Sequence, residues 1–183
     1  MERERWRTLG VDYLYESPWC SFRVDEVLLP DGVEIEYGIL ESAGFAAVVP
    51  MTEAGGVVLV RQWRQPVGGF TLELPGGGLE RGEDPQETVR RELLEETGYR
   101  AEELSHLVSV HVSPGRSTEV CHLFRCRAVR AFSGPRPEPT EFVSAVELPL
   151  AEAVRKVFDG EITAATTVLG LLMVSGEVAD FRA

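Results

Sequence analysis

The chain has 183 residues, of which 44% are hydrophobic and 26% are charged, as is usual for one globular domain. Its net charge of −12 argues against a nucleic-acid partner, and no apolar run approaches the roughly 20 residues that cross a bilayer. The charged start MERERWRTLG does not resemble a secretory signal. We therefore expect a cytoplasmic protein without a membrane partner.

The first 42 residues predict an antiparallel β unit. The strand-like segments FRVDEVLL and VEIEYGIL flank a turn at Pro30–Gly32, and apolar and polar residues alternate in the second segment. We assign residues 1–42 to this N-terminal unit of two or three strands. Residues 43–183 form the domain that follows.

The rest of the chain mixes strands and helices. The segments GFAAVVPM and GVVLVRQW predict two buried strands, and FTLEL follows, before three glycines at residues 76–78. Beyond a helix, strands resume at LSHLVSVHV and EVCHLFRCRAV, and a polar loop at residues 133–141 leads to a last strand, FVSAVEL. Two helices near Leu150–Phe158 and Ile162–Val174 close the chain. This pattern predicts a layered α+β fold.

Three cysteines form no C-x-x-C pair, and their odd number favours reduced thiols. Cys121 and Cys126 occur in an apolar, strand-like segment, so we predict that they are core residues. The three histidines show no zinc-ligand spacing, and no Ser/His/Asp motif is present. Zinc chemistry is therefore not expected.

The helix after the glycines has clear ends. Asp84 is predicted as the N-cap and Pro85 as the first helical residue, while Glu87 at the third position completes a capping-box pattern. Gly98 is the expected C-terminal stop.

Residues 77–99 contain seven carboxylates, and like charges one helical turn apart repel each other by roughly 0.2–0.5 kcal/mol per pair. In helical projection Glu92, Glu95 and Glu96 share one face, with Arg91 placed to hold Glu95. The projection gives Glu92 and Glu96 no basic partner. One interpretation is a solvated face. The nearby glycines favour another, a half-site for a hard cation such as Mg²⁺.

The spacing of these residues resembles a known motif. Gly77, Glu83 five residues later, and RELLEETGY after seven more match the Nudix box, G-x5-E-x7-R-E-U-x-E-E-x-G-U, at every specified position. The resemblance to the Nudix hydrolase family implies a mixed β-sheet sandwiched between helices, with the box at 77–99 forming a loop–helix–loop. It also implies hydrolysis of a nucleoside diphosphate linked to another group.

The same resemblance implies roles for individual residues. It implies two or three Mg²⁺ or Mn²⁺ ions in each active site, which neutralise the crowded glutamates together with the substrate. The implied metal ligands are Glu92, Glu96, Glu95 and the carbonyl of Gly76. Arg91 would orient Glu95, and Glu83 would fix the loop, although capping of the helix is an alternative role for Glu83.

Segments outside the box resemble the ADP-ribose pyrophosphatase subgroup. They include SPGRSTE, in which Pro114 lies sixteen residues after Gly98, as well as LVRQWRQPVG and LELPGGG. This implies a nucleotide-sugar substrate, with ADP-ribose cleaved to AMP and ribose 5-phosphate. The SPW segment at residues 17–19 recurs in related sugar-nucleotide hydrolases, so GDP-mannose, other such sugars and FAD stay open. A module that senses ADP-ribose without cleaving it is a further alternative.

The subgroup also implies residues for the substrate. Glu119 would be the base or a metal ligand, and Arg64 would reach a phosphate unless it is only a surface arginine. Trp63 would stack on a base, or lie in the core or an interface. The resemblance also implies a homodimer whose N-terminal strands are shared between subunits. Further substrate contacts would come from Ser113 on the sugar side and from Phe22 and Glu36 near the partner's nucleobase.

Overall fold

The structure of the protein, a computed structural model, contains two β-sheets. The segments with alternating or continuous apolar residues form their strands. The structure describes residues 5–80, 82–132, 134–136 and 142–176. The chain divides into two compact units. The first unit contains the residues up to Gly44 together with His111–Val120, and the second contains Phe45–Val110 and the residues from Cys121 onward.

The first unit holds a three-stranded antiparallel sheet in the order β1-β2-β3. Its strands are β1 (Arg7–Glu16), β2 (Ser21–Leu28) and β3 (Glu34–Glu41). The sequence predicts β2 and β3 to within a residue, and Gly32 adopts the left-handed conformation (φ 88°) that their turn requires. It does not predict β1, in which two register shifts interrupt the alternation of side chains.

The second unit contains a seven-stranded mixed sheet. Its main order is β10-β5-β4-β9-β8, with β6 paired to β5 and β7 paired to β4. Strands β4 and β9 run parallel, whereas the pairs β4–β5, β4–β7, β5–β6 and β5–β10 are antiparallel. The strands are β4 (Phe45–Met51), β5 (Gly56–Arg64), β6 (Gly69–Glu73), β7 (Gly76–Gly78), β8 (Tyr99–His111), β9 (Val120–Arg130) and β10 (Val143–Pro149).

Helices cover both faces of this sheet. They are α1 (Pro85–Thr97), α2 (Leu150–Phe158) and α3 (Ala165–Ser175). Ala47 and Val49 of β4 belong to one buried cluster, which includes residues of α2 and α3. Ala46 and Val48 belong to a second cluster, which includes residues of α1. A strand covered on both faces is continuously apolar, which explains the runs in β4 and β5. The predicted sheet sandwiched between helices is confirmed.

The ends of α1 follow from its sequence. The Asp84 carboxylate accepts a hydrogen bond from the Gln86 N–H at 2.9 Å, and Gly98 ends the helix with φ 72°. The Glu87 carboxylate lies 3.6 Å from the Arg90 side chain, so it does not complete the capping box as expected.

Helix α2 has the predicted bounds, but α3 begins three residues later than predicted, at Ala165. Ile162 is only 1% exposed and lies in the connection before α3, where it belongs to the core. Its apolar character therefore reflects burial outside the helix. The predicted polar loop at residues 133–141 falls mostly outside the described residues.

Cys121 and Cys126 are buried core residues, as predicted. Burial raises the pKa of the Cys126 thiol to about 12, so this side chain is not reactive. Across the described ranges, no helix combines the length and apolarity needed to span a membrane.

Candidate active site

The three glycines around the start of the box, Gly76–Gly78, form β7, which packs against α1. Strand β7 pairs with β4, so that Gly76 and Gly77 are fixed opposite Ala47 and Ala46. A Cβ atom on Gly77 would overlap the carboxylate of Glu92, and the Gly76 N–H donates a hydrogen bond to Glu96 Oε2 at 3.0 Å. The expected approach of glycine backbone to the box glutamates is therefore observed, and it requires the absence of side chains on β7.

Two of the three glutamates on the acidic face are buried. Glu92 is 7% exposed and Glu96 is 4% exposed. Carboxylates are rarely buried unless a cation or hydrogen-bond donors compensate the loss of water. The interpretation of this face as simply solvated is therefore wrong for Glu92 and Glu96.

Arg91 lies among three of the box carboxylates. Its Nη1 atom is 2.7 Å from Glu92 Oε1 and 3.4 Å from Glu95 Oε2, and its Nη2 atom is 3.4 Å from Glu83 Oε2. The expected contact with Glu95 is present. The expectation that Glu92 has no basic partner is wrong, because the long arginine side chain reaches its immediate neighbour, whereas the helical projection pairs only residues three or four apart.

Glu83 connects Arg91 to the loop before the helix. One of its carboxylate oxygens accepts a hydrogen bond from the Glu80 N–H at 3.1 Å, and the other lies 3.4 Å from the Arg91 Nε atom. Burial raises the pKa of Glu83, but the bonds from Glu80, Arg91 and Thr88 outweigh that effect and hold the pKa below its usual value. These contacts agree with the expected role of Glu83 in fixing the loop.

This set of groups fits a hard divalent cation. Three carboxylates, those of Glu83, Glu92 and Glu95, contact one guanidinium, and a fourth, that of Glu96, accepts a hydrogen bond from the Gly76 N–H, so acidic side chains outnumber basic ones in this group. All its donors are oxygen atoms, which Mg²⁺ and Mn²⁺ prefer. Within the described residues no three acidic, histidine or cysteine side chains already converge as a metal site. The Arg91 guanidinium instead lies within 3.4 Å of three of the carboxylates.

Arg64, at the end of β5, forms an ion pair with Glu73 of β6, which the sequence analysis did not predict. The Arg64 Nε and Nη2 atoms lie 2.9 and 2.7 Å from the two carboxylate oxygens of Glu73. Burial raises the pKa of Glu73, but Arg64 and Thr71 outweigh it and lower the pKa. Alternation along the paired strands places four polar residues on one face of the hairpin: Gln62, Arg64, Thr71 and Glu73. This alternation is visible in the sequence and would have predicted Glu73 as a partner of Arg64.

Trp63 is exposed on the same hairpin. Its side chain is 48% exposed, its ring packs edge-on against Phe70, and its Nε1–H donates to Gln65 at 3.0 Å. The interpretation of Trp63 as a core residue is therefore wrong. Stacking on a base and an interface both stay open.

The other predicted substrate residues belong to the first unit. The register of β2 and β3 places Phe22 and Glu36 on one face of the three-stranded sheet, and Tyr37 on the opposite face. Ser113 and Glu119 lie in the segment between β8 and β9, where the Ser113 carbonyl accepts hydrogen bonds from Arg116 and Ser117. The roles of these residues remain predictions.

The lowered pKa of Glu83 predicts pH-dependent stability. Glu83→Gln keeps the shape of the side chain but removes its charge, so it should destabilise the protein by about 1 kcal/mol at pH 7. Because the folded-state pKa lies below the usual value of 4.5, this difference should be complete above pH 4.5 and disappear as the pH falls through the folded-state value. Urea unfolding across a pH series measures it. The exposed Glu87→Gln is the control, and a pH-independent difference would contradict the ion-pair assignment.

Two family models match successive parts of the chain. Residues 43–167 match the NUDIX domain, and residues 6–40 match the nucleoside diphosphate sugar hydrolase N-terminal domain. The chain is 31% identical over 166 residues to an ADP-ribose pyrophosphatase of Bacillus subtilis (strain 168), and 33% identical over 166 residues to a methanol dehydrogenase activator of Bacillus methanolicus. Each alignment covers 90% of both chains.

A crystal structure of an ADP compounds hydrolase has the same fold. It superposes with a TM-score of 0.81 at 20% sequence identity, over 97% of this chain and 96% of that one. The family match covers most of the chain and includes the whole box. The chain therefore belongs to the Nudix hydrolase family and carries the N-terminal domain of the nucleoside diphosphate sugar hydrolases.

Proposed function

We propose that the protein hydrolyses ADP-ribose to AMP and ribose 5-phosphate. The observation that carries this proposal is the burial of Glu92 and Glu96 against the glycine backbone of β7, with an excess of negative charge around Arg91. Such a site can bind a diphosphate only through cations. The SPG segment with Glu119 and the similarity to an ADP-ribose pyrophosphatase support ADP-ribose as the substrate.

Nudix hydrolases generally use divalent metal ions. Glu92, Glu96 and Glu95, with the carbonyl of Gly76, would hold two or three Mg²⁺ or Mn²⁺ ions. The ions would offset the charge on the phosphate oxygens and lower the pKa of water. Arg91 orients Glu95 and restrains Glu92 through the contacts described above.

Residues outside the box would activate the attacking water and bind the phosphate, base and sugar of the substrate. Glu119 would accept a proton from the attacking water, whose oxygen bonds to one phosphorus while the bridging P–O bond breaks. The guanidinium of Arg64, aligned by Glu73, would contact a phosphate. Trp63 would stack on the base, and Ser113 would contact the sugar.

Substitution of the box glutamates tests the proposal. Glu92→Gln and Glu96→Gln should each lower kcat for ADP-ribose by at least about a hundredfold, because an amide lacks the charge that holds a cation. The measurement is AMP release in the presence of Mg²⁺, with GDP-mannose and FAD as competing substrates and Glu87→Gln as the control. Near-normal turnover in either variant would contradict the metal-site assignment. Binding of ADP-ribose without AMP release by the unmodified protein would favour the sensor alternative.

We also propose a cytoplasmic homodimer that shares its N-terminal strands. The odd number of cysteines, without a C-x-x-C pair, supports a reducing compartment. Strand β1 is an edge of the three-stranded sheet and exposes large apolar side chains. A second copy of the chain would cover these side chains, which include Val11 (49% exposed), Leu14 (60%) and Tyr15 (59%).

The dimer can be tested by mass and by complementation. Sedimentation at micromolar concentration should give twice the chain mass of 20.2 kDa, and removal of residues 1–41 should give inactive or aggregated protein. If the strands are shared, mixing Phe22→Ala with Glu92→Gln should restore up to about a quarter of the activity, because each mixed dimer contains one intact site. A fully active monomer after truncation, or no restoration on mixing, would contradict the shared site.

A further inference from the structure

The segment that carries Glu119 is hydrogen-bonded along the end of β3. The Leu40 N–H donates to the Arg116 carbonyl at 2.8 Å, and the Thr118 N–H donates to the Leu40 carbonyl at 3.1 Å. The Tyr37 hydroxyl donates to the Gly115 carbonyl at 2.6 Å. The backbone before Glu119 is therefore attached to the N-terminal sheet.

Ser42, just beyond β3, contacts the Glu119 carboxylate itself. Its Oγ accepts a hydrogen bond from the Gly44 N–H at 3.0 Å and donates its single hydrogen to Glu119 Oε1 at 3.2 Å. Gly44 adopts a left-handed conformation (φ 85°), and a Cβ there would collide with the Val120 carbonyl. This turn fixes the position of the Ser42 hydroxyl.

The end of β3 is itself held by charged groups. Glu41, which precedes Ser42, lies 2.7 Å from the Arg23 guanidinium and accepts a hydrogen bond from the Tyr13 hydroxyl at 2.9 Å. Arg23 also pairs with Asp25, which is only 4% exposed. The three strands of the sheet thus restrain the residue next to Ser42.

We propose that Ser42 is a positioning residue that orients the Glu119 carboxylate for hydrolysis. The main chain of Glu119 is already held, because its N–H donates to Ser117 Oγ at 3.0 Å and its carbonyl accepts from the Val112 N–H at 3.2 Å. Rotation of the side chain is the remaining freedom, and the Ser42 hydroxyl restricts it. This inference rests on the proposed role of Glu119, and it gives the N-terminal sheet a catalytic contribution within its own subunit.

A pair of variants of matched shape isolates the hydroxyl. Ser42→Val should lower kcat about tenfold and leave KM within about twofold, because a positioned base acts in the chemical step. Ser42→Thr keeps the hydroxyl and should retain near-normal kcat. Ser42→Ala is a second variant without the hydroxyl, and Ser144→Val on β10 is a control that should leave kcat unchanged. Equal kcat values for Ser42→Thr and Ser42→Val, or a higher kcat for Ser42→Val, would overturn the proposal.

A double-mutant cycle separates positioning from a general structural effect. If Ser42 acts through Glu119, then Ser42→Val should cause no further loss of kcat in a Glu119→Gln background, measured in single turnovers. Losses that multiply would overturn the inference but leave Glu119 as the base. Normal kcat in Glu119→Gln alone would instead remove Glu119 from the proposed mechanism, and the inference with it.

Discussion

The close approach of α1 to the glycine strand β7 is the contact on which the site depends. The Gly77 backbone lies against the Glu92 carboxylate, and the Gly76 N–H donates a hydrogen bond to Glu96, so both acids are held where they are almost completely buried. Buried like charges destabilise a fold unless they are compensated. Arg91 and backbone donors supply part of this compensation, and the remaining negative charge favours divalent cations.

Arg91 stabilises the carboxylates of the box, but it would also compete with a cation for Glu92. It stabilises the protein through Glu83, Glu92 and Glu95. Burial lowers the pKa of the guanidinium, but Glu83 and Glu92 outweigh that effect and raise the pKa above its usual value. A cation held by Glu92 would compete with this ion pair for the carboxylate. Arg91 also contacts Glu83 and Glu95, which would still hold its guanidinium.

The N-terminal unit has two separate structural properties. One is its apolar edge strand, on which the proposed homodimer rests. The other is its attachment to the Glu119 segment through Tyr37, Leu40 and Ser42. The second property acts within one subunit. Removal of residues 1–41 would therefore lower activity either by loss of the proposed dimer or by loss of the contacts with the Glu119 segment. The complementation and Ser42 experiments distinguish them.

Local patterns predicted much of the fold and the box. The apolar runs of β4 and β5, and the Asp84 and Gly98 ends of α1, depend on burial and backbone conformation at neighbouring residues. The missed features depend on how strands and segments pair in the folded chain. The Arg64–Glu73 contact requires the β5–β6 register, and the contact of Ser42 with Glu119 joins residues 77 positions apart. Strand β1 was missed because its register shifts break the period of two.

Thermal unfolding in increasing Mg²⁺ tests the central claim most directly. A cation bound only by the folded state stabilises that state by RT ln(1 + [L]/Kd), or about 2.7 kcal/mol at a hundred times Kd. The melting temperature of the unmodified protein should therefore rise steadily with Mg²⁺ or Mn²⁺, while that of Glu96→Gln should stay nearly constant. A flat response of the unmodified protein, or equal responses of the two proteins, would contradict a cation site at the box glutamates.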